Sequence, residues 1–409
     1  MKRNAVEMKT CRCCGKKELQ LLIDFGMQPV AHRLLDSKEQ EDDFTHPLCL
    51  YYCENCGFVQ IDNPIAPEQL YTQYNYCFSG WKKQPHIPAE IELLNRHIGN
   101  KDINILEIGC NDGVFLDPLR KAGYKNVIGI EANPYAAKVA EGVGFKILNV
   151  MFNKRSAEEI QEQYNGFDMV IMRQVVEHIE DLRGLFESLD LILNGEKLLF
   201  IEVPDFGEAL RSGDCSTIWE EHPNYFTYNI LEFLLNTKGY KVLEKDFYDF
   251  SGGAICVLAK KEKTAIANVK KDMTAYNNFA NVVNNYAVKL KSALRNAHEK
   301  GIKVFLYGTG ARACTLINGL GIEEIDCAID DQKEKQNHYM PGSHLPILSL
   351  EKVSDSADKK VFLLAVNHEN EEMVSKKILL HNNAKNVKII SLFAPNDIFK
   401  EVEKVEELL

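Results

Sequence analysis

The sequence predicts an α/β protein in three parts: a small cysteine-rich module, a doubly wound parallel sheet and a second α/β region. Two Cys-x-x-Cys pairs near the start predict the module, because such pairs hold metal ions in short segments that have little core of their own. Apolar strands that alternate with helical stretches, first in the middle and again near the end of the chain, predict the two α/β regions.

The overall composition is that of a globular protein with several domains. For 409 residues we expect two to three domains of about 100–200 residues each. The net charge of −11 disfavours a nucleic-acid partner, whose phosphates require a basic face. A small anionic ligand stays compatible with this charge, since one local cluster of Lys and Arg is enough to bind it.

The sequence shows no sign of export or of membrane insertion. No apolar run reaches the roughly 18 residues of a membrane helix, and the first residues, MKRNAVEMKTCRCC, lack the apolar core of a signal peptide. We therefore expect a cytoplasmic protein without a membrane partner. In that reducing compartment the twelve cysteines favour metal binding or burial over disulfides.

The predicted elements fall into four segments. These are the cysteine-rich module at 1–80, a central sheet domain at 81–262, a connecting helix at 263–300 and a Rossmann-like domain at 301–409. Strand-like stretches are expected at 19–25 and 48–60 in the module, at 103–108, 127–131, 146–149, 168–172 and 197–203 in the central domain, and at 303–307, 325–329, 360–365 and 387–391 in the last. Two further strands around Ser251-Gly252-Gly253 are expected to form an antiparallel edge. Apolar residues at helical spacing predict the connecting helix.

The cysteine pairs match a structural zinc site. Zinc prefers four tetrahedral thiolate or imidazole ligands, and each Cys-x-x-Cys turn presents two sulfurs at a suitable distance. Cys13 is an alternative to Cys14 in the first pair. Four protein ligands leave no open coordination position, so we expect the metal to stabilise the module and to take no part in a reaction. The predicted ligands are Cys11, Cys14, Cys53 and Cys56.

A glycine-containing turn follows the first strand of the central domain. The sequence EIGCNDG at 107–113 lets the backbone approach a ligand at the start of a helix. Glu131, at the end of the next strand, is placed to accept both ribose hydroxyls of an adenosine, and this pattern also fits a dinucleotide. The predicted cofactor-binding residues are Glu107, Gly109, Asn111, Asp112, Gly113 and Glu131.

Groups that can move protons follow two strands of the central domain. His178 comes after the strand at 168–172, and Glu221 and His222 lie in the aromatic-rich segment CSTIWEEHPNYFTYN after the fifth strand. The carboxyl ends of parallel strands are where ligands bind in open α/β folds. A carboxylate beside a histidine fixes the tautomer of the ring, so Glu221 and His222 predict a general base.

A second glycine turn opens the C-terminal region. The sequence GTGARA at 308–313 follows a strand, and Asp330 lies about 20 residues further on, as in dinucleotide-binding folds. Two interpretations stay open, namely NAD and the phosphates of a nucleotide-bearing substrate. The polar stretches at 331–347 and 366–370 favour the second. The predicted substrate-binding residues are Gly308, Gly310, Arg312, Lys335, Asn337, Asn367 and His368.

Together these motifs resemble those of the three-domain, S-adenosylmethionine-dependent C-methyltransferases that act on nucleotide-linked deoxy-keto-sugars. CENCGFVQ and the stretch from Gly26 to Pro29 resemble the zinc domain, EIGCNDGVFL the cofactor loop, and IWEEH the family's Ile-Tyr-x-Glu-His. Gly-x-Gly-Ala and KQNHYMPGSHLPI resemble the C-terminal domain, so the similarity extends over nearly the whole chain. It implies a class I methyltransferase fold for the central sheet, S-adenosylmethionine as cofactor and a structural Zn²⁺.

The resemblance also implies roles for single residues. It places a catalytic tyrosine at Tyr76, a histidine at His178 and the Glu-His pair at Glu221 and His222. A base of the Glu221/His222 type would remove the proton from the carbon beside the ketone. Tyr76 or His178 would donate to the developing oxyanion, and the carbon would then take the methyl group.

Two departures from the family pattern leave the reaction open. The family's tyrosine before x-Glu-His is Trp219 here, and its His-Gly-Gly is Ser251-Gly-Gly. Both positions would face the sugar, so methyl transfer to an oxygen or a nitrogen stays open. The sequence is also compatible with an NAD-dependent enzyme and with a non-catalytic zinc module, and acid/base groups in a cleft favour an enzyme over a binding module. The sugar, the nucleotide and the oligomeric state do not follow from the sequence.

Overall fold

A computed structural model of the chain describes residues 9–40, 44–62, 64–66, 70, 84–262, 265–266, 269, 273–354, 358–393 and 397–407. In the N-terminal module, β1 (Leu19–Pro29), β2 (Thr45–Cys53) and β3 (Val59–Ile61) form an antiparallel sheet. A fourth strand joins this sheet from the central domain, because Asn224–Tyr225 pairs antiparallel with β3. The sheet of the module is therefore completed by a distant part of the chain.

The central domain contains a seven-stranded sheet. In chain order its strands are β4 (Asn104–Ile108), β5 (Asn126–Ile130), β6 (Lys146–Leu148), β7 (Phe167–Arg173), β8 (Leu193–Pro204), β10 (Tyr240–Tyr248) and β11 (Ala254–Lys261), while β9 is the strand Asn224–Tyr225 of the first sheet. Across the sheet the order is β10-β11-β8-β7-β4-β5-β6. The strands from β8 to β6 are parallel, and β10 and β11 form the antiparallel edge that the sequence predicted.

Helices cover this sheet on both sides. They are α1 (Ile87–His97), α2 (Leu116–Lys121), α3 (Pro134–Gly142), α4 (Lys154–Tyr164), α5 (Leu182–Ile192), α6 (Phe206–Ser212) and α7 (Tyr228–Thr237). Successive residues of a strand point to opposite faces. Accordingly, Leu106 of β4 packs in the cluster that holds α4, α5 and α7, while Ile105 packs with α1 and α2. The winding reverses between β4 and β7, and open α/β sheets bind ligands at the carboxyl ends of the strands at such a point.

A 27-residue helix, α8 (Met273–Glu299), leads to the C-terminal domain and has one buried apolar face, as its helical spacing predicted. The domain itself has five parallel strands in the order β14-β13-β12-β15-β16. Its strands are β12 (Lys303–Tyr307), β13 (Cys327–Ile329), β14 (Ile347–Leu348), β15 (Lys360–Leu364) and β16 (Val387–Ser391), and its helices are α9 (Ala311–Leu320), α10 (Glu351–Ser354), α11 (His368–His381) and α12 (Ile398–Glu406). The order is that of a Rossmann-like domain.

The N-terminal module packs against both other domains. Phe58, which follows the second cysteine pair, shares a core with Phe226 of the central domain. On the other side of the module, Tyr52 shares a core with Phe279 of α8 and Ile317 of α9. Because one small sheet contacts both larger domains, it helps to fix their relative position. Over the described parts of the chain, no helix has both the length and the apolar character needed to cross a membrane.

Candidate active site

The four predicted zinc ligands form one cluster. The Cys11 and Cys56 sulfurs lie 3.6 Å apart, and those of Cys14 and Cys53 lie 3.7 Å apart. A tetrahedral zinc ion with zinc–sulfur bonds of about 2.3 Å requires sulfurs about 3.8 Å apart, so the cluster fits this metal. Cys13, the alternative ligand, is not one of the four. The cluster therefore forms a closed, structural zinc site.

The turn after β4 lies against Glu131, the residue that follows β5. The Glu131 carboxylate accepts hydrogen bonds from the N–H groups of Asn111 and Asn133, at 2.8 and 2.7 Å. Gly109 has a φ of +73°, and a Cβ at this position would lie 2.5 Å from Cγ2 of Val175. A glycine is thus required for this path of the backbone. The structure brings the glycine turn and Glu131 together at the carboxyl ends of neighbouring strands.

Two further acidic residues of this turn are buried, Glu107 and Asp112. Burial raises the pKa of Glu107 to about 8. Among the described residues, Oε2 of Glu107 has no hydrogen-bond partner. Buried polar atoms are usually hydrogen-bonded, and a bound ligand with N–H or O–H donors would supply the partner. Together with Gly113, which has a φ of +84°, these residues fit an adenosyl cofactor.

The segment 218–223 is held between the zinc module and the central sheet. The N–H of Ile61 donates to the carbonyl of Pro223 at 3.1 Å. Directly after Pro223, the buried side chain of Asn224 donates to the carbonyl of Ile179 at 2.6 Å. The segment is therefore fixed from one side by β3 and from the other by the residues that follow β7.

His178 and His222 contact each other at this segment, with ring centroids 4.7 Å apart and ring planes at 82°. Nδ1 of His178 donates to the carbonyl of Glu221 at 2.7 Å. Because a carbonyl only accepts, Nδ1 carries the proton, and Nε2 holds a lone pair when the ring is neutral. Burial lowers the pKa of His178, which favours this neutral form at pH 7. The geometry therefore leaves His178 able to accept a proton.

The Glu221 carboxylate pairs with His32 of the zinc module, with Oε1 2.7 Å from Nδ1. From the sequence we expected Glu221 to orient His222, and His32 was not among the candidates. Glu220 is held by the same part of the module, since it accepts the N–H of Ala31 at 2.6 Å. Burial, followed by the charge of Glu221, raises the pKa of Glu220 to about 7.

A third carboxylate, Glu177, lies beside the two histidines and was also missed. It belongs to the 3-10 turn Val176–His178 and is 1% exposed. One carboxylate oxygen of Glu177 and one ring nitrogen each of His178 and His222 lie within 4.8 Å of one another. The only sequence signal was its position next to His178. The acid near His222 is thus supplied by a different element from the one that the sequence suggested.

Two cavities flank this group of residues. The first is lined by Pro204, Asp205, Phe206, Thr217, His222, Asn224, Tyr225, Phe226, Ser251, Gly252 and Gly253. The second is lined by Pro64, Ile65, Leu70, His178, Glu180, Glu220, Glu221 and Pro223. Tyr76, which the sequence predicted to be catalytic, lies outside the described residues.

A buried charge cluster that the sequence did not indicate lies at the ends of β7 and β8. Nη2 of Arg173 lies 2.9 Å from Glu90 and 2.8 Å from Glu202. His86 joins the cluster at 3.3 Å from Glu202, and the guanidinium of Arg173 lies over the ring of Phe115 at 4.3 Å. Burial lowers the pKa of Arg173, and the charges of Glu202 and Glu90 more than offset this. The cluster attaches α1 to the carboxyl edge of the sheet.

The predicted nucleotide site lies at the turn after β12. Gly308 has a φ of +101°, and a Cβ there would collide with the carbonyl oxygen of Ala365. We expected Arg312 to face a phosphate. In the structure its Nη2 bonds Asp214 at 2.5 Å and its Nε donates to Ser216 at 3.0 Å. Arg312 is therefore a contact between the C-terminal and central domains, and its role in nucleotide binding remains a prediction.

The other predicted residues of this site are spread around the same turn. Gly310 precedes α9, and Lys335 pairs with Asp330 at 3.3 Å. Asn367 accepts from the Arg312 guanidinium at 3.3 Å, which joins it to the domain contact. Asn337 and His368 have local partners in Lys352 and Glu371.

Sequence profiles of three families match consecutive parts of the chain. They are a zinc binding domain at residues 11–71, a methyltransferase domain at 81–245 and a C-methyltransferase C-terminal domain at 250–390. The chain is 27% identical over 394 residues to the C-methyltransferase NovU of Streptomyces niveus, which covers 92% of this chain and 94% of that protein. It is also 32% identical over 104 residues to the ubiquinone biosynthesis O-methyltransferase of Azorhizobium caulinodans, over 23% of this chain and 40% of that one.

Among solved structures, the 1,6-didemethyltoxoflavin-N1-methyltransferase of Burkholderia thailandensis is similar at 14% identity and a TM-score of 0.36, over 51% of this chain and 96% of that one. A SAM dependent methyltransferase from Archaeoglobus fulgidus has 20% identity and a TM-score of 0.35, over 43% of this chain and 94% of that one. These scores are too low to bear on the chemistry.

Proposed function

We propose that this chain, which belongs to the three-domain, S-adenosylmethionine-dependent C-methyltransferases, methylates the carbon beside the ketone of a nucleotide-linked deoxysugar. The nucleotide-linked sugar, as the substrate, is the part of this assignment that we propose. The observation that carries it is the contact between His178 and His222 at the carboxyl edge of the sheet, with a cavity on either side. Two histidines in contact suit a reaction that begins with removal of a proton.

A carbon next to a ketone becomes acidic enough for a protein base when the developing enolate oxygen is stabilised. In our proposal His222, which lines the first cavity, removes the proton, and Tyr76 donates to the oxygen; His178 would donate only in its protonated form, because its Nδ1–H is bound to the Glu221 carbonyl. The tautomer of His178 supports a second assignment, in which Nε2 of His178 takes the proton. General-base help of this kind is worth about 10²–10⁴ in rate.

The cofactor would lie at the turn after β4. When bound, S-adenosylmethionine supplies a methyl group on a positively charged sulfur, which the carbon nucleophile takes up. Glu131 would accept the ribose hydroxyls at the position that the fold gives to such an acid. The buried Glu107 and Asp112 would lie against the same ligand.

The nucleotide of the substrate would lie toward the C-terminal domain. The cavity lined by His222 is also lined by Ser251, whose carbonyl accepts from Arg312 of α9 at 3.4 Å. His222 and the start of α9 are therefore connected through one short turn. A keto-sugar beside His222 with its diphosphate directed toward Gly308 fits this layout, because backbone N–H groups at helix starts bind phosphate.

Transfer to an oxygen or a nitrogen is the second candidate, and Trp219 is the observation that favours it. Its ring packs against His222 with centroids 4.8 Å apart. A side chain with no phenolic hydroxyl thus stands where the resemblance expects a tyrosine, so one donor to an enolate oxygen is missing.

Solvent deuterium exchange tests the proposal. The wild-type protein in D₂O, without a methyl donor, is mixed with a panel of nucleoside-diphosphate keto-deoxyhexoses, and deuterium at the carbon beside the ketone is followed by mass spectrometry. We expect exchange in the wild type and a loss of about 10²–10⁴-fold in His222→Asn. The affinity for S-adenosylhomocysteine should not change. His298→Asn, which alters a half-buried histidine of α8, is the control and should exchange like the wild type.

The outcomes separate the assignments. Loss of exchange in His178→Asn but not in His222→Asn would assign the base to His178. Methylation without exchange would favour an oxygen or nitrogen acceptor, and a panel with neither exchange nor methylation would contradict the sugar proposal. If NADH raises the melting temperature and nucleoside diphosphates do not, the assignment of the C-terminal domain is wrong.

A further inference from the structure

We infer that His32, supplied by the zinc module, is a positioning residue of the active site, which holds Glu221 and through it the ring of His178. The inference rests on the proposed function. His32 lies just after β1, far in sequence from the segment 218–223 that contains Glu221 and His222, which we call the catalytic segment. Its neighbours in the chain gave no reason to select it. Its place in the structure is what identifies it.

His32 and the Glu221 carboxylate are in direct contact. The Glu221 side chain is 3% exposed and that of His32 is 22% exposed, with Nδ1 and Oε1 2.7 Å apart. A carboxylate that has been removed from water requires a donor or a cation nearby. The ring nitrogen of His32 lies at ion-pair distance from this carboxylate, so its position limits where the Glu221 carboxylate can lie.

The zinc module contacts the catalytic segment at two neighbouring residues. The N–H of Ala31 donates to the Glu220 carboxylate at 2.6 Å, while His32 contacts the carboxylate of the next residue. Two contacts on consecutive residues restrain the rotation of the peptide between them as well as its position. The Glu221 carbonyl belongs to the following peptide, which starts at the restrained Cα of Glu221 and whose N–H, that of His222, donates to the Trp219 carbonyl at 3.1 Å.

Glu221 also contacts His178 through its backbone carbonyl. That same Glu221 carbonyl accepts the proton on Nδ1 of His178 at 2.7 Å. The carbonyl sets both the orientation of the His178 ring and the nitrogen that keeps the lone pair. A displacement of Glu221 would therefore alter His178, and the ring of His222 that contacts it, without a change in any residue that touches the cofactor.

Two substitutions at His32 separate positioning from simple packing. His32→Asn keeps a polar N–H group near the place of Nδ1, whereas His32→Leu keeps the bulk and removes the polar group. In the deuterium exchange assay we expect His32→Leu to be slower by about 10²-fold, the loss that a displacement of about 1 Å can cause. His32→Asn should restore most of the rate. Zinc content and the affinity for S-adenosylhomocysteine should match the wild type in both.

The matched control is His298, a histidine of α8 whose Nε2 lies 3.1 Å from Asp326, remote in sequence from the catalytic segment. His298→Leu and His298→Asn should leave the exchange rate unchanged. Combining His32→Leu with Glu221→Ala, which removes the carboxylate that His32 contacts, tests the pair directly. Because both changes remove one contact, the double variant should be no slower than the slower single variant.

Three results would overturn the inference. Equal exchange per folded molecule in the wild type, His32→Leu and His32→Asn would show that His32 only stabilises the fold. Equal slowing in His32→Asn and His32→Leu would show that the polar contact with Glu221 is not what positions the site. A wild type that exchanges on no sugar of the panel would reject the proposed function, and the role of His32 in it as well.

Discussion

Single carboxylates at the carboxyl edge of the central sheet have very different surroundings. Glu131 accepts two backbone N–H groups, Glu221 pairs with a histidine, and Glu107 is buried with one oxygen that has no partner among the described residues. Since the cost of burying a charge depends on such partners, the protein stabilises these three carboxylates to different degrees.

Glu107 should make the free energy of unfolding depend on pH. Its pKa in the folded protein is raised to about 8 from 4.5, so the folded state binds more protons than the unfolded state between these values. Stability should therefore fall as pH rises from 5 to 8, by at most a few kcal/mol. Glu107→Gln should reduce this fall by about 1 kcal/mol or more in urea unfolding without cofactor.

Glu158→Gln is the control for this measurement, because Glu158 is exposed on α4. It should retain the pH dependence of the wild type. A Glu107→Gln protein with an unchanged dependence would show that Glu107 ionises in the folded state as it does in the unfolded chain.

At this scale the sequence indicated the types of residue better than their partners. The glycine turn and Glu131 come together because parallel strands end at one edge, which the pattern of strands predicts. Glu221 and His222 are adjacent in sequence, but consecutive side chains point in different directions. The histidine that pairs with Glu221 comes from residue 32 through tertiary contacts, which no local pattern encodes.

The elements that carry the site are short and depend on one another. β9 has two residues, pairs with β3, and is followed by the buried Phe226. The 3-10 turn Val176–His178 is joined to β9 by one side chain, since Asn224 donates to the carbonyls of Val176 and Ile179. These small elements hold the two histidines that the larger strands and helices do not reach.

Asn224→Ala should therefore weaken both the fold and the reaction. The substitution removes the donors to two buried carbonyl groups, and an unsatisfied buried group costs about 1–3 kcal/mol. We expect a lower free energy of unfolding together with slower deuterium exchange, while S-adenosylhomocysteine still binds. Asn278→Ala, at an exposed position of α8, is the control and should change neither quantity. Normal exchange in a destabilised Asn224→Ala protein would separate this residue from the positioning of His178.

The larger elements followed from the sequence. The doubly wound sheet, its antiparallel edge and the second parallel sheet are confirmed, and they followed from the sequence because strands such as β7, β11 and β15 are apolar runs buried on both faces. β9 could not be predicted, since two residues give no periodicity. The sheet that it completes requires a contact between residues more than 160 positions apart, Val59 and Tyr225.

On the scale of the whole molecule, the zinc module supports the candidate active site. The zinc cluster packs in the same core as Phe226, and the module supplies His32 to Glu221 and Ala31 to Glu220. The sequence predicted a structural zinc site, and both the matching zinc binding profile and the cysteine cluster bear this out. Through these contacts, the proposed catalytic segment 218–223 connects the metal site to the proposed reaction.

Removal of zinc should lower exchange more than it lowers cofactor binding. Metal binding contributes directly to the folding of small sites, so chelation should loosen the module and release the segment 218–223. Cys53→Ser should lose zinc and exchange activity and still bind S-adenosylhomocysteine. Cys49→Ser, on the same strand but outside the cluster, should keep one zinc per chain by elemental analysis and normal exchange. Full activity in a zinc-free protein would contradict this connection.

The fourth strand of the first sheet has a consequence for exchanging parts between related enzymes. A chimera joined near residue 80 would replace β1, β2 and β3 but keep the β9 of the host. The foreign sheet would then have to fit the segment 218–223 of the host, at the point where His32 meets Glu221. Swaps that carry 218–226 together with the N-terminal module should fold and react better than swaps of the module alone. In this protein the candidate active site is built from two segments that are distant in the gene, and not from one contiguous domain.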